Sequence, residues 1–470
     1  MEASLYDFGM VGLGTMGRNL LLNIADHGFA AIGFDKDISK GQLLEASATA
    51  GTRVKGVDSL AHMVEQLRPP RRIMMLVPAG KPVDAVIEDL IPLLSPGDIV
   101  IDGGNSHFTD TQRRIGYLRD RQIHFMGMGV SGGEQGARTG PSIMPGGDQA
   151  AWNAVKPILE SIAARVGGDP CVAYMGKDAA GHYVKMVHNG IEYAIMQIIS
   201  EAYDFLRRGL NLPNGELHRI FRHWNEGELQ SFLMEITANI FTQDDPETGN
   251  SLVDEILDKA GSKGTGKWTS QEAMNLPIPL PTIDMAVSMR DISGYKEERI
   301  QAASLYKPRV KSFATNQDKI IGQLQDAVYL SSLLCYAQGL AMLHKASEEH
   351  AMEIPLRDVV RIWRGGCIIR SSMLELFTGA FKKKNIPNIL LDRKIASIVK
   401  KKQASLRRIV QLYAAARIPA GGLQSALAYF DAYTTERMPT NLIQAQRDYF
   451  GAHTYQRIDR EGSFHTEWRS

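Results

Sequence analysis

The chain has 470 residues, of which 44% are hydrophobic and 22% are charged, and this composition is typical of a soluble globular protein. The length is too great for one hydrophobic core, so we expect two or three domains. The formal net charge of +1 provides no overall field that would attract nucleic acid or an anionic membrane, so any anion site must be local.

The first predicted element is a strand followed by a glycine turn and a helix. An apolar stretch that begins at Tyr6 leads into a G-x-G-x-x-G motif, and apolar residues at helical spacing follow. In this context the glycines allow a tight turn and a close approach of the backbone to a pyrophosphate at the helix N-terminus. The predicted cofactor-binding residues of this turn are Gly12, Leu13, Gly14, Thr15, Met16 and Gly17.

The next predicted strands extend the same fold. The apolar strand Ala30–Phe34 ends at Asp35, the position at which dinucleotide-binding folds carry the residue that contacts the ribose. Two further short apolar runs, Ile73–Val77 and Ile99–Ile101, alternate with helical patterns and predict a parallel, doubly wound sheet. Val77 is a further candidate cofactor-binding residue.

The character of the chain changes after the first third. Strand-like runs disappear, and long segments with apolar residues every 3.6 positions take their place. We therefore predict an α/β Rossmann-like domain over residues 1–178, a large all-α domain over residues 179–435 and an extended tail over residues 436–470. From Pro439 onward the tail is polar, aromatic and poor in apolar periodicity, so we expect it either to fray or to dock on another surface.

The first helix of the second domain carries a base, two neutral hydrogen-bonding groups and an acid on one face. This helix is predicted to run from about residue 179 past residue 201. At positions i, i+3, i+4 and i+7 it carries Lys185, His188, Asn189 and Glu192. The ammonium and the carboxylate are therefore about 10 Å apart along the axis, a separation that suits two proton transfers at opposite ends of a small substrate. A polar helix face in solvent has the same pattern.

Other glycine-containing segments offer groups for a ligand. Asn105, within Asp102–Ser106 at the end of a strand, can hydrogen-bond a hydroxyl or a nicotinamide, but the segment reads equally well as a tight turn. Ser131–Gly133 offers consecutive backbone N–H groups and a hydroxyl, which suit either a carboxylate or a plain loop. Pro145–Asp148 is more typical of a turn between a strand and a helix than of a site.

The segment Gly261–Trp268 contains G-x-x-x-x-G-K but does not predict a nucleotide-triphosphate loop. Trp268 stands where a Ser or Thr hydroxyl would bind magnesium, and no strand precedes the motif. Lys263 and the backbone amides remain good phosphate ligands. His188 and Glu192 are spaced like half of a metal site, but no second pair accompanies them, so we predict no metal.

The remaining sequence signals concern the setting of the protein. The chain has three cysteines, Cys171, Cys335 and Cys367. They have no metal-type spacing and do not resemble a disulfide framework, so a reducing, cytoplasmic setting is expected. Met1–Ser4 lacks a basic region, and no run approaches the roughly eighteen apolar residues of a membrane span. The lysine runs Lys382–Lys384 and Lys400–Lys402 lack aromatic stacking residues, so solvated helix faces are expected and nucleic acid is not a predicted partner.

The assembled segments resemble the 6-phosphogluconate dehydrogenase family over nearly the whole length. The segments that carry the resemblance are Asp102–Ser106, Gly129–Glu134, Gly181–Tyr193, Lys263–Thr269 and Leu442–His453. The resemblance implies oxidative decarboxylation of 6-phosphogluconate to ribulose 5-phosphate and carbon dioxide, with reduction of NAD or NADP and without a metal. This reaction belongs to the pentose phosphate pathway.

The resemblance also implies a role for each candidate residue. Lys185 would be the general base that takes the 3-hydroxyl proton as hydride leaves C3, and then the acid that promotes decarboxylation. Glu192 would protonate C1 of the resulting enediol. The implied substrate-binding residues are Asn105, Ser131, Gly132, Gly133, His188, Asn189, Tyr193, Lys263, Thr265, Arg290, Arg447 and His453. The last two would come from the tail of a partner subunit, which implies an obligate homodimer.

One segment departs from the NADP-dependent members of the family. Those members resemble one another in carrying Asn-Arg-Thr after the second strand, whereas this chain has Asp35, Lys36 and Asp37. Two carboxylates would repel a 2′-phosphate, whereas Asp35 is placed to accept a hydrogen bond from a free ribose 2′-hydroxyl. We therefore expect NAD rather than NADP, although Lys36 can pair with a phosphate as a point charge.

Two alternatives stand beside this interpretation. One is a β-hydroxyacid dehydrogenase of the same superfamily that acts on an unphosphorylated acid, and the other is a catalytically inactive dinucleotide-binding scaffold. Four candidate phosphate ligands would serve no purpose with an unphosphorylated acid, and the presence of both Lys185 and Glu192 argues against a scaffold. The phosphate ligands are Lys263, Arg290, Arg447 and His453.

Overall fold

The structure is a computed structural model that describes residues 5–382 and 386–468. Two sequence features discussed above fall outside these residues. They are the N-terminal segment Met1–Ser4 and the last two residues of the run Lys382–Lys384. The second run, Lys400–Lys402, lies on a helix with Lys400 and Lys401 exposed as expected, but the expectation is wrong for Lys402, whose largely buried ammonium pairs with Glu228 and Asp326.

A seven-stranded sheet forms the N-terminal part of the molecule. Its strands are β1 (Phe8–Val11), β2 (Ala31–Phe34), β3 (Val54–Val57), β4 (Arg72–Met75), β5 (Ile99–Asp102), β6 (His124–Ser131) and β7 (Ser142–Gly147). The spatial order is β3-β2-β1-β4-β5-β6-β7, with β1 to β6 parallel and β7 antiparallel to β6. The order reverses between β1 and β4, which creates the switch point at which such sheets bind ligands.

Helices cover both faces of this sheet. They are α1 (Thr15–Asp26), α2 (Ile38–Ala46), α3 (Leu60–Glu65), α4 (Lys81–Leu90), α5 (Phe108–Arg119), α6 (Gly133–Thr139) and α7 (Gln149–Ile162). One apolar cluster includes Leu20 and Trp152, and the other includes Val83 and Ile87. Because both faces are covered, central strands such as β1 and β5 are fully buried, and the predicted doubly wound α/β fold is confirmed. A two-residue hairpin follows, with β8 (Arg165–Val166) paired to β9 (Asp169–Pro170).

The prediction of a turn over Pro145–Asp148 is wrong. Pro145 and the two glycines after it belong to β7, and only Asp148 lies at the turn, where it caps α7 by accepting the Ala150 amide at 2.7 Å. Proline is tolerated here because β7 is the edge of the sheet. Gly146 is required because a Cβ at this position would lie 2.2 Å from the amide nitrogen of Gly181.

The C-terminal part is built from helices around one large apolar core. They are α8 (Ala180–Asp204), α9 (Asn214–Asn225), α10 (Phe232–Ile240), α11 (Leu252–Glu255), α12 (Thr265–Asn275), α13 (Pro281–Gly294), α14 (Lys296–Tyr306), α15 (Gln317–Glu349), α16 (Leu356–Ile362), α17 (Met373–Ala380), α18 (Arg393–Ala416), α19 (Gly421–Tyr433) and α20 (Thr440–Gly451). The prediction of a large helical part after the Rossmann-like sheet is confirmed.

Helix α8 joins the two parts of the molecule. Its N-terminal turns contact β6 and β7, whereas most of its length lies in the helical core. At its C-terminal end the buried carboxylate of Glu201 accepts hydrogen bonds from the Gly422 and Leu423 amides, at 2.7 and 3.0 Å, at the start of α19. These two amides belong to the four that a helix N-terminus leaves without intrahelical partners. Helix α8 is therefore fixed at both ends.

Within residues 5–382 and 386–468, one helix has the length and hydropathy of a membrane span. Helix α15 has 33 residues and a window with a mean hydropathy of 1.2, although 94% of that window is buried within the protein. Such a helix is weak evidence for a membrane span because the core helix of a soluble protein has the same properties.

The tail is more ordered than its sequence indicated. It contains α20 and then pairs Tyr455 with Phe464 in an antiparallel bridge. Leu442, Ile443 and Phe450 lie on α20 with side chains that are more than half exposed. The sequence did not predict α20, because its apolar residues are few, and these three, about two turns apart, form a short stripe that this chain leaves uncovered.

Candidate active site

Glycines allow the catalytic candidate Lys185 to approach the sheet. A Cβ at Gly129 in β6 would lie 2.4 Å from the Cβ of Lys185. One turn earlier on α8, a Cβ at Gly181 would lie 2.2 Å from the carbonyl oxygen of Gly127. Distances below 3.0 Å leave no space for a side chain, so the helix and the strands meet backbone to backbone. This contact places Lys185 beside the C-terminal end of the parallel strands.

His188 connects three of the predicted site residues. Its Nδ1 lies 3.4 Å from Nζ of Lys185 and 3.0 Å from Oδ1 of Asn189. Its Nε2 lies 3.4 Å from Oγ of Ser131 at the end of β6. All four side chains are buried, and His188 has no exposed surface. The structure therefore brings together these residues from the helix and the glycine segment.

Glu192 belongs to the same cluster. Its Oε2 lies 3.9 Å from Nδ1 of His188, and its side chain retains 23% of its exposure. The ammonium of Lys185 and the carboxylate of Glu192 therefore approach the same ring nitrogen. The predicted separation of about 10 Å along the axis describes their backbones but is wrong for their functional groups, because both side chains turn toward His188.

Burial shifts the pKa of each titratable group in this cluster. Removal from water lowers the pKa of Lys185, and the nearby Glu192 carboxylate only partly opposes this effect. Burial raises the pKa of Glu192 in spite of the positive charges of Lys185 and Arg290. Burial and then Lys185 hold the pKa of His188 well below its usual value, so this imidazole is neutral. A lysine with a lowered pKa suits the role of a general base, and a glutamate with a raised pKa suits the role of a general acid.

The Ser131–Gly133 segment forms the turn between β6 and α6. Gly132 and Gly133 have φ values of 124° and 63°, which residues with a Cβ rarely adopt. A Cβ at Gly132 would also lie 2.8 Å from the carbonyl oxygen of Gly366. The segment thus combines left-handed backbone, a close contact and the Ser131 hydroxyl. This arrangement favours the interpretation as an anion site over the interpretation as a plain loop.

The sequence analysis missed the wall of the site formed by residues 363–367. The Trp363 ring lies edge to face with His188, with centroids 5.7 Å apart. Cys367 is buried, its Sγ lies 3.1 Å from the Trp363 carbonyl oxygen, and burial raises the pKa of its thiol to about 12 in spite of Lys185. An uncharged thiol therefore lies near Lys185. The two adjacent glycines, Gly365 and Gly366, were the only sequence signal of this close-packed turn.

A second group of predicted residues lies beyond Glu192. The Arg290 guanidinium carbon is 3.7 Å from the ring centroid of Tyr193, a cation–π contact. A Cβ at Gly266 would lie 2.5 Å from that ring, so the start of α12 contacts it directly. Thr265, the first residue of α12, is buried, whereas Lys263 is exposed. The structure therefore brings Tyr193, Thr265 and Arg290 together and places Lys263 at the edge.

The glycine turn before α1 fits a dinucleotide. Gly12 has a φ of 97°, and a Cβ there would lie 2.5 Å from the Leu76 carbonyl oxygen. A Cβ at Gly17 would lie 1.9 Å from the Gly12 carbonyl oxygen, whereas the space next to Gly14 is open. The turn therefore packs tightly on its inner side and exposes its backbone where a pyrophosphate would lie at the helix N-terminus.

An open cleft of about 340 Å³ extends from this turn. The predicted residues that line it are Gly12, Gly14, Asp35, Lys36 and Val77. The other predicted cofactor residues do not line it. Leu13 and Gly17 are buried, Thr15 and Met16 lie on α1, and Asp37 caps α2 by accepting the Ser39 amide at 3.1 Å. Apolar side chains that include Leu60, Pro82 and Val86 also line the cleft.

Asp35 has several partners in this cleft. Its carboxylate accepts the amides of Leu13 at 2.8 Å and Asp37 at 3.0 Å. Lys40, which the sequence analysis did not single out, is its ion-pair partner, with Nζ 3.2 Å from both oxygens. Burial would raise the pKa of Asp35, but the two amides and Lys40 outweigh this effect and lower it. Asp35 is therefore an anion that faces the cleft.

Asn105 is exposed and lies on a loop that a network of buried hydrogen bonds stabilises. Asp102 accepts the Gly104 amide at 3.0 Å and the Ser106 hydroxyl at 2.6 Å. Arg114 donates to Asp102 at 3.3 Å and to the Gly80 carbonyl at 3.0 Å, at the start of α4 beside the cofactor cleft. The sequence analysis missed Arg114 because a single arginine on an amphipathic helix has no distinguishing pattern.

The two predicted tail residues are not brought into this cluster within one chain. Arg447 contacts Gln444 within α20, with Nη1 3.1 Å from Oε1. The His453 ring lies edge to face with Phe450, with centroids 5.9 Å apart. Across residues 5–382 and 386–468, no three His, Cys, Asp or Glu side chains form a group that could hold a metal ion.

Family models match almost the whole chain. Residues 7–176 match the NAD binding domain of 6-phosphogluconate dehydrogenase. Residues 181–468 match the C-terminal domain of 6-phosphogluconate dehydrogenase. The two matches meet at the start of α8.

Individual relatives are similar over their full length. A Bacillus subtilis protein described as 6-phosphogluconate dehydrogenase, NADP(+)-dependent, decarboxylating, is 50% identical over 467 residues, which are 99% of each chain. A decarboxylating 6-phosphogluconate dehydrogenase of Synechococcus elongatus is 49% identical over 470 residues, or 99% of this chain and 100% of the relative. The solved 6-phosphogluconate dehydrogenase of Plasmodium falciparum, described as apo, with NADP+ and with 6-phosphogluconate, is 42% identical. Its TM-score is 0.96, over 98% of this chain and 100% of that one.

Proposed function

The chain belongs to the 6-phosphogluconate dehydrogenase family, and we infer that it converts 6-phosphogluconate to ribulose 5-phosphate and carbon dioxide with reduction of NAD or NADP. This is an oxidative decarboxylation of the pentose phosphate pathway. The observation that supports it most directly is the buried cluster on α8, in which the pKa of Lys185 is lowered and the pKa of Glu192 is raised. Both shifts favour the neutral form, which is the base form of the lysine and the acid form of the glutamate. An inactive scaffold would not need such a pair.

Lys185 is the proposed base of the first step. NAD or NADP, held in the cleft lined by Gly12, Gly14 and Asp35, would supply the acceptor for the hydride that leaves C3 of the sugar acid. Neutral Lys185 takes the proton of the 3-hydroxyl at Nζ, and its lowered pKa increases the neutral fraction that is available for this transfer. The ammonium thus formed then donates its proton to the 3-keto oxygen as the bond between C2 and the carboxylate breaks, and an enediol and carbon dioxide result.

Glu192 is the proposed acid of the last step. Its raised pKa increases the protonated fraction of the carboxyl, so it can donate a proton to C1 of the enediol. Lys185, neutral again after decarboxylation, takes the proton of the adjacent enediol hydroxyl, so that the carbonyl of ribulose 5-phosphate forms. Neutral His188 and Asn189 bind hydroxyl groups of the substrate beside it, and Ser131, Gly132, Gly133 and Asn105 hold its acid end. We propose this chemistry without a metal, on the basis of the family.

The phosphate end of the substrate is assigned to a cationic group. Tyr193, Thr265 and Arg290 lie together at the end of the Lys185 cluster, with Lys263 at its edge. We propose that Arg447 and His453 of a second copy complete this group in a homodimer. The exposure of Leu442 (62%) and Phe450 (73%) on α20 supports docking of the tail on another surface.

We propose NAD as the preferred cofactor. The anionic Asp35 in the cleft supports this preference, because it would accept the ribose 2′-hydroxyl and repel a 2′-phosphate. Two facts weigh against it: the Bacillus subtilis relative is described as NADP(+)-dependent, and Lys36 and Lys40 also line the cleft. The preference therefore depends on whether Lys40 stays paired with Asp35.

The division of the chain and its setting complete the proposal. We propose a dinucleotide-binding domain over residues 1–178, a substrate and dimerisation domain over residues 179–435 and a tail over residues 436–470. The end of the sheet before α8 and the start of α20 at Thr440 support these limits. The three cysteines are free and buried, which fits the proposed reducing, cytoplasmic setting.

The test is formation of the reduced nicotinamide by purified protein with 6-phosphogluconate, run in parallel with NAD and NADP at matched concentrations. Turnover with either cofactor is expected, with the higher kcat/KM for NAD. A higher kcat/KM for NADP would keep the enzyme but refute the role of Asp35. Absence of turnover with both cofactors would refute the function.

The variant Asp35→Asn/Lys36→Arg isolates the cofactor question. Removal of a carboxylate and addition of a guanidinium are expected to shift the ratio of kcat/KM values toward NADP by at least about tenfold. Lys55→Arg, on β3, controls for the effect of adding an arginine elsewhere in the same domain. An unchanged ratio would place the discrimination elsewhere.

A further inference from the structure

Asp448 is buried within a tail that is otherwise largely exposed. Its side chain has no exposed surface, whereas its neighbours on α20, among them Leu442 and Phe450, are exposed. A buried carboxylate is costly unless it accepts several hydrogen bonds. The position of Asp448 directly after Arg447 and five residues before His453 makes its partners informative.

Four donors from the tail itself satisfy this carboxylate. Oδ1 accepts the Thr454 amide at 3.0 Å and lies 2.8 Å from Nδ1 of His465. Oδ2 accepts the Thr466 amide at 3.0 Å and Nε1 of Trp468 at 2.8 Å. Burial would raise the pKa of Asp448, but the bonds from His465, Thr466 and Trp468 outweigh it and set the pKa at about 2. The carboxylate is therefore a fixed anion at neutral pH.

The turn that carries His453 depends on these bonds. Ala452 and Thr454 have φ values of 49° and 57°, a left-handed conformation that costs about 1 to 2 kcal/mol per residue with a Cβ. The Ala452 amide donates to the Asp448 carbonyl oxygen at 2.9 Å, and the Thr454 amide donates to its side chain. The backbone on both sides of His453 is thus held by one residue.

The second half of the tail closes over the same residue. Tyr455 and Phe464 exchange two backbone hydrogen bonds of 2.8 and 2.9 Å, which return the chain toward α20. The Ser463 hydroxyl donates to the Thr454 hydroxyl at 2.8 Å. The tail is therefore a folded unit around Asp448 rather than a flexible arm.

From this geometry we propose that Asp448 is a positioning residue for substrate binding, because it holds Arg447 and His453 in the relative arrangement in which the tail meets the substrate phosphate. The proposal rests on the proposed function and on the proposed exchange of tails between two copies. Asp448 itself does not contact the substrate. A tail folded before docking also pays less conformational entropy when it orders the two cations around the phosphate.

The test compares Asp448→Asn with Asp459→Asn in the full-length enzyme. Asp459 is an exposed aspartate of the same tail that pairs with Arg457, so it controls for the loss of a tail carboxylate. Asp448→Asn is expected to raise the KM for 6-phosphogluconate about tenfold or more and to leave the KM for the cofactor within about twofold. Asp459→Asn is expected to change neither value. Trp468→Phe, which removes one of the four donors, is expected to raise the KM in the same direction by less.

A double-mutant cycle separates positioning from a general loss of structure. If Asp448 acts through Arg447 and His453, Asp448→Asn in an Arg447→Ala/His453→Ala background is expected to weaken the Kd of 6-phosphogluconate, measured by calorimetry, by less than about twofold. Multiplicative effects, an unchanged KM in Asp448→Asn, or dissociation of that variant to monomers in sedimentation would each overturn the proposal. Loss of turnover in the unsubstituted enzyme would instead count against the proposed function.

Discussion

The side chains of Lys185 and Glu192 owe their opposite proposed roles to the same apolar surroundings. Burial disfavours both charges, so it lowers the pKa of the amine and raises the pKa of the carboxyl. His188 lies between them without a charge of its own. A solvent-exposed pair at the same helical spacing would form an ordinary ion pair, with little effect on either pKa.

The exchange Glu192→Gln tests the acid. It keeps the shape of the side chain but removes the proton, so kcat is expected to fall by about 10²- to 10⁴-fold while the Kd of the cofactor stays nearly the same. Steady-state kinetics and cofactor titration measure the two values. Glu349→Gln, on the exposed face of α15, is the control. Near-normal turnover in Glu192→Gln would refute the assignment.

The pH dependence of kcat gives a second test of the same residue. As the pH rises, Glu192 ionises and can no longer donate, so the unsubstituted enzyme is expected to lose activity on the alkaline side. The raised pKa moves this loss to a higher pH than an ordinary glutamate would give. The residual activity of Glu192→Gln is expected to lack this alkaline loss and to keep the acid-side loss, which protonation of Lys185 contributes. A persistent alkaline loss would point to another group.

The sequence predicted the members of this cluster better than their arrangement. Helical spacing alone put Lys185, His188 and Glu192 on one face, because that relation is local. Convergence of the two side chains on His188 depends on their rotamers, and the pKa shifts depend mainly on burial, to which distant residues such as Trp363, packed on His188, contribute. A residue pattern contains no information on such contacts.

At the scale of elements, the seam between α8 and the sheet determines where Lys185 stands. Gly127, Gly129, Gly146 and Gly181 allow the backbones of three elements to touch. In a sequence, such glycines are typical of segments that interrupt a strand, so β6 and β7 were not predicted. In contrast, the strand, turn and helix around Gly12–Gly17 were predicted correctly, because their glycines serve a local turn.

The variant Gly129→Ala tests this seam. The added methyl group would lie 2.4 Å from the Cβ of Lys185, so α8 must shift away from β6. The free energy of unfolding is expected to fall by about 1 to 3 kcal/mol, and a displacement of Lys185 near 1 Å is expected to lower kcat by about 10²-fold. Thermal unfolding and steady-state kinetics measure these effects.

The matched control for this variant is Gly116→Ala, in the interior of α5. No atom lies within 4 Å of a Cβ at this position, so the protein is expected to gain about 0.5 to 1 kcal/mol of stability and to keep its activity. Equal activities of the two variants would show that the seam does not position Lys185.

At the scale of the whole molecule, the proposed active site needs two chains. Within one chain, the contacts of Arg447 and His453 are with other tail residues, while the Lys185 cluster lies in the body of the protein. The sequence alone indicated this division only through the family resemblance. The folding of the tail around Asp448 was not predictable, because its four donors are spread over residues 454–468 without a periodic pattern.

Subunit complementation tests this arrangement. Lys185→Met and Arg447→Ala are each expected to be nearly inactive as homodimers. In a mixed dimer, the intact Lys185 of one chain meets the intact tail of the other, so an equal, randomised mixture is expected to regain about one quarter of the unsubstituted activity. A mixture that regains nothing after exchange of subunits, which mass spectrometry of tagged chains verifies, would show that each tail serves its own chain.

The attachment of α8 at both ends has a consequence for slow motions of the protein. Sheet backbone encloses its first turns, and Glu201 fixes its last turns to α19. A local opening that exposes the amides around Lys185 must therefore disrupt both the sheet and the helical core. These amides are expected to exchange with deuterium only through global unfolding, so the proton-transfer groups stand on the least mobile backbone of the molecule.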